Sequence, residues 1–126
     1  MRFIDLLARA LMAQIFIIAG WGKLGAGYAG TEAYMQSVGL PGFLLPLVIL
    51  LELGGGIALL VGFQTRLIAA ALALFCVASA VIFHLHPQDG MQMIMFMKNI
   101  AMAGGLLMMV QYGAGALSWD HKRKSA

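Results

Sequence analysis

Glu52 is the residue of this sequence whose chemistry most needs a partner. It lies inside an apolar run, with roughly ten residues of apolar helix on either side. An ionised carboxylate in hydrocarbon is costly, so it must be protonated, paired or turned toward a wet cavity. Proton handling or ligand binding is the chemistry it could do. A polar contact that holds two helices together is the alternative. Lys98 lies in another apolar run and is the natural counter-charge. Glu52 falls roughly 14 Å below the start of its helix and Lys98 roughly 10 Å below its own, a difference the lysine stem can cover. Snorkelling of Lys98 to the interface is the competing reading.

Four other polar residues fall in or beside apolar runs. Gln14 and Asn99 can hydrogen-bond across helices, a contact worth only about 1 kcal/mol. Gln14 reads best as glue between helices, while Asn99 points about 100° away from Lys98 and serves a different neighbour. His84 and His86 close a run just before Pro87. The two imidazoles do not face the same way on a helix, and no cysteine or carboxylate cluster surrounds them, so no metal site is expected. His84 stays open as part of a proton or quinone path, because histidine as a residue type exchanges protons near neutral pH. The many methionines after Asp89 are read as adaptable packing rather than as copper ligands.

These residues need elements to position them. Of 126 residues, 62% are hydrophobic and only 10% charged. A soluble surface of that size cannot be covered by so little charge. Backbone groups in lipid must be satisfied within a helix or a closed barrel. Barrel strands would alternate with period two, and these runs do not. The expected architecture is therefore all-α: a single transmembrane four-helix bundle occupying residues 1–126. The spans are expected at about 4–21, 43–63, 67–83 and 90–112, each close to the roughly 30 Å a bilayer core requires. The first run is not read as a signal peptide, because Asp5 and Gln14 interrupt it and no clean cleavage site follows.

The Gly-rich stretch from Gly22 to Gly42 reads as a loop with a short interfacial helix, capped by Thr31 and ended by Gly39 and Pro41. Asp89, with Gln92 three residues on, resembles a capping box. Gly113 and Gly115 break the last span before a polar tail. The runs Gly54-Gly55-Gly56 and Gly104-Gly105 supply small faces for close packing, expected to bring the second and fourth spans together. The net charge is +3, without the basic stripe of a nucleic-acid binder. With the N-terminus inside, Arg2, Arg9, Arg66, Lys122, Arg123 and Lys124 fall on one side, and only Lys23 and Lys98 on the other. Both termini are therefore expected to be cytoplasmic.

The ordered set Phe16-Ile17-Ile18-Ala19-Gly20-Trp21-Gly22-Lys23, Gly27-Tyr28-Ala29-Gly30-Thr31, Leu51-Glu52-Leu53-Gly54-Gly55-Gly56, Gly62-Phe63-Gln64-Thr65-Arg66 and Phe96-Met97-Lys98-Asn99 with Gly104-Gly105 resembles the DoxX family. Its members are small four-helix proteins of the bacterial inner membrane. The resemblance implies the same location for this chain. It also implies an association with quinol-oxidase or oxidoreductase complexes, from which many members take an oxidoreductase label. On that basis the chain is expected to be a quinone- or redox-associated membrane subunit. Its polar intramembrane site would comprise Glu52, Lys98, Gln14, Asn99 and His84. It carries no cysteine cluster, haem pair or dinucleotide fingerprint, so no intrinsic cofactor is expected, only a bound quinone. The expected partners are the lipid bilayer, redox-complex subunits and further copies of the chain, and not nucleic acid. A non-catalytic assembly partner and a proton or small-molecule carrier are the alternatives.

Overall fold

The computed structural model describes residues 2–125. The apolar runs fold into helices because each backbone group then bonds within its own segment. Helix α1 is Arg2–Gly22, α2 is Ala26–Ser37, α5 is Thr65–Phe83 and α6 is Gly90–Tyr112. The second apolar run is helical throughout but not uniform. A 3₁₀ turn at Gly42–Leu44 leads into α3, Leu45–Ile49, where Pro46 sits in the first turn and costs no hydrogen bond. A π turn follows at Leu50–Gly54, and the run ends as α4, Gly55–Val61. A short helix, α7, occupies Trp119–Ser125. Four helical stretches are long and apolar enough to cross a membrane: Phe3–Gly22, Gly42–Val61, Thr65–Phe83 and Gly90–Tyr112.

The local stops follow residue chemistry. Asp89 caps α6 by accepting from the amides of Met91 and Gln92. Gly113 and Gly115, at φ +77° and +85°, turn the chain out of α6 through conformations that suit glycine. The short helix expected in the first loop is α2. It begins earlier than the Thr31 cap predicts, and the Thr31 hydroxyl lies within the helix, bonded to the Gly27 carbonyl at 2.8 Å.

The spans form a ring in which α1 packs on the π turn and α4, α4 on α5, and α5 along α6. α6 closes the ring against α1 only lightly, where Met12 approaches Gly105. The core is narrow and built largely from small or aliphatic side chains, among them Ala13, Phe16, Leu59, Leu72, Cys76 and Leu106. Large apolar residues such as Ile18, Leu47, Leu74 and Leu107 face outward, as a lipid-solvated bundle requires. In this ring the second and fourth spans stand diagonally. That corrects the expectation that their glycines meet. Gly56 instead faces Phe16 and Ile17 of α1, Gly55 faces Leu72 of α5, and Gly104 has open space beside it.

Candidate functional site: a buried ion pair at a break in two helices

Glu52 sits in the middle of the π turn, where the helix takes an extra residue into one turn. Such turns interrupt the regular ladder and recur at functional sites. The carboxylate is 5% exposed. Its partner is Lys23, with Nζ 2.6 Å from Oε1. Lys23 follows the last residue of α1 and folds back along it, also donating to the Ala19 carbonyl at 3.3 Å. Two of the three ammonium donors are thereby engaged within the protein. Lys23 keeps 23% of its side chain exposed, so the pair is reachable from one side.

Glycine at position 20 makes this meeting possible. A Cβ there would lie 2.8 Å from the Leu53 amide nitrogen and 3.1 Å from its Cα, so backbone approaches backbone directly beside Glu52. Leu53 lies about 16 Å along its span from Gly42. The end of α1 therefore stands level with Glu52, well inside the length of the second span. From there α2 climbs toward the end of the bundle away from the termini, where Glu32 and Gln36 flank Gly42 and Tyr34 stacks on Phe83 at 5.3 Å. A helix break at Lys23 thus faces a π turn at Glu52. Irregular backbone at membrane depth is tolerated where protein covers it or where it lines a binding cavity. Cys76 of α5 is buried within electrostatic reach of Glu52.

The structure gathers few of the residues that sequence places in one site. Lys98 is not the partner of Glu52: it is exposed on α6 and forms no ion pair among the described residues. Similar depth on two helices is no guarantee of contact when those helices stand diagonally. Gln14 is exposed and makes no hydrogen bond among the described residues, so it does not join α1 to a neighbouring helix. Asn99 donates to the Met95 carbonyl of its own helix at 3.0 Å. His84 bonds Gln92 through Nδ1 at 2.7 Å, tying the ends of α5 and α6 together away from the pair. Gln92 thus serves His84 rather than a capping box. In the sequence Lys23 stood out as a charge for orientation and as part of the family motif, not as a partner for Glu52. The available signal was its distance: it follows a span directly and can fold back to an acid on an antiparallel neighbour.

A second set of charges lies at the end that carries both termini. Arg9 is 2% exposed. Its Nη1 donates to the carbonyl of Leu60 at 2.6 Å and to that of Leu59 at 3.4 Å, and its Nη2 donates to the carbonyl of Leu117. It thereby closes the free carbonyl end of α4 and pins the tail. Asp120 accepts from the amides of Gln64 and Thr65 at 2.8 Å each, capping α5. Partial burial pushes its carboxyl up. The hydrogen bonds from Thr65 and Gln64 and the nearby Arg123 outweigh that and hold it below the usual aspartate range. Among the described residues no group of three or more His, Cys, Asp or Glu is placed to hold a metal ion.

Comparison with known proteins agrees with this architecture. The DoxX family model matches residues 4–85. The chain is 52% identical over 115 residues to Inner membrane protein YqjF of Escherichia coli (strain K12), covering 91% of this chain and 88% of that protein. It is 37% identical over 125 residues to Inner membrane protein YphA of the same organism, covering 93% and 88%. It is 32% identical over 76 residues to "Putative oxidoreductase CatD" of Bacillus subtilis (strain 168), covering 60% and 56%. No solved structure matches it significantly.

Proposed function

The chain belongs to the DoxX family, and on that premise we propose that it is a quinone-associated subunit of an inner-membrane redox complex. The observation that carries this reading is the Lys23–Glu52 pair, buried among apolar side chains where two helices are irregular. A quinone head group needs a hydrogen-bond donor at a carbonyl oxygen and an acid to pass protons. Lys23 Nζ supplies the first and the Glu52 carboxyl the second. Reduction of a quinone to a quinol takes up two electrons and two protons. In this reading the electrons come from a redox partner subunit, and the chain supplies the binding site and a proton route. The oxidoreductase name of one Bacillus relative supports the direction. Both termini face the cytoplasm in this arrangement, by the excess of Lys and Arg at that end.

Quinone extracted from the purified protein and quantified by mass spectrometry tests the reading. Wild type should carry it, and Glu52→Gln and Lys23→Met should each lose most of it, while Lys98→Met keeps it. Equal retention in Glu52→Gln would remove Glu52 from the site. A second reading has its own observation: Gly20 and Gly56 pack α1 closely onto the second span in the turns next to the pair, so the pair could simply lock those helices. In that case the same variants melt earlier, and no quinone is present in wild type.

A further inference from the structure

The end bearing both termini has an open pocket of about 540 Å³ that the ion pair does not touch. It lies between the first turn of α5 and the last turn of α6, with the tail folded across it. We propose that this pocket binds an anionic phospholipid of the adjoining leaflet.

Four observations carry this. Arg66 lies at the pocket wall, its guanidinium held by Nη1 donation to the carbonyls of Gln111 at 3.0 Å and Val110 at 3.3 Å. Its Nε and Nη2 make no hydrogen bond to a described residue, so they are available to a phosphate oxygen. Gly113 leaves room for that pose, because a Cβ there would stand 3.4 Å from Nε, and its φ of +77° already disfavours a side chain.

The acid in the pocket does not oppose an anion as strongly as its charge suggests. Both oxygens of Asp120 accept backbone amides of α5, which turns them toward the helix. Lys122 and Arg123 follow directly in α7 and are exposed. Asp5, whose carboxylate stands against Gly115 of the lining, is a second acid nearby, so it is Lys122 and Arg123 beside the pocket that, with Arg66, tip the local balance to basic. Basic clusters beside membrane helices recruit anionic lipid.

The flanks identify a lipid rather than a free phosphate. Leu67 is 68% exposed on α5 and Tyr112 69% exposed on α6, both lining the same pocket. They set exposed apolar side chains at the pocket beside Arg66, where acyl chains would lie. This inference does not depend on the quinone reading.

The test is native mass spectrometry of the purified protein in detergent with defined lipid added. Phosphatidylglycerol should be retained in preference to phosphatidylcholine. Arg66→Gln should lower that retention about fivefold, and the Lys122→Gln/Arg123→Gln double variant by a similar factor, from basic contacts of ordinary strength. The double variant leaves the α6 carbonyls bonded, so it reports on binding even where Arg66→Gln disturbs that end. Lys98→Gln, on the opposite half of α6, should change nothing. Equal retention of the two lipids, or phosphatidylglycerol retention unchanged in both the single and the double variant, would overturn the proposal. So would displacement by soluble glycerophosphate at the lipid's own concentration, which would reassign the pocket to a free phosphate.

Discussion

A cation is held toward each end of α1, Arg9 buried and Lys23 half-buried, and the two are treated differently. Toward the N-terminal end Arg9 is answered by backbone carbonyls of Leu59, Leu60 and Leu117. Just past the C-terminal end Lys23 is answered by another titratable side chain, Glu52. Arg9 stays charged at any relevant pH and its acceptors cannot titrate. That site fixes a helix end and the tail through hydrogen bonds that do not depend on a proton being gained or lost. The Lys23–Glu52 pair sets an ammonium against a carboxylate, two side-chain types that can carry protons, and it sits beside the π turn and just past the end of α1. Burial alone does not separate a structural charge from a chemical one. The nature of the partner does.

Variants can break this comparison. The largest effect is expected for Arg9→Met, which leaves buried carbonyls without donors. It should cost about 3 kcal/mol, read by thermal melting in detergent, and expose the tail to protease. Gly20→Ala should cost about 2 kcal/mol, since its methyl meets the Leu53 backbone and pushes α1 off the π turn. A double-mutant cycle of Lys23→Met with Glu52→Gln should show coupling of about 1.5 kcal/mol, whereas the cycle of Lys98→Met with Glu52→Gln should show none. Coupling of Glu52 to Lys98 alone would restore the pairing that sequence depth suggested.

Asp120→Asn should cost about 1 kcal/mol as a weakened helix cap. Its pH dependence has a definite sign. The folded carboxyl is held below its ordinary value near 3.9, so its contribution is complete above about pH 4. It fades as pH falls through the folded value. Wild type should therefore lose more stability than Asp120→Asn in acid denaturation below about pH 4. The smallest effect is expected for Lys98→Met, within about 0.5 kcal/mol, because the side chain is exposed and unpaired among the described residues.

The four spans, the stops at Asp89, Gly113 and Gly115, and the family were legible from residues alone. Long apolar runs have few helical solutions in lipid, and caps and glycine turns act through neighbours in sequence. Glu52 stood out for the same reason: a carboxylate inside an apolar run is conspicuous whatever surrounds it. Its partner was not legible. Which helices stand side by side and which diagonally is set by where small residues permit backbone contact, and Gly20 and Gly56 chose α1 for the second span. The sequence thus determined that an acid would be buried in a membrane bundle. Only the tertiary structure decided that Lys23 would answer it and that Lys98 would face outward.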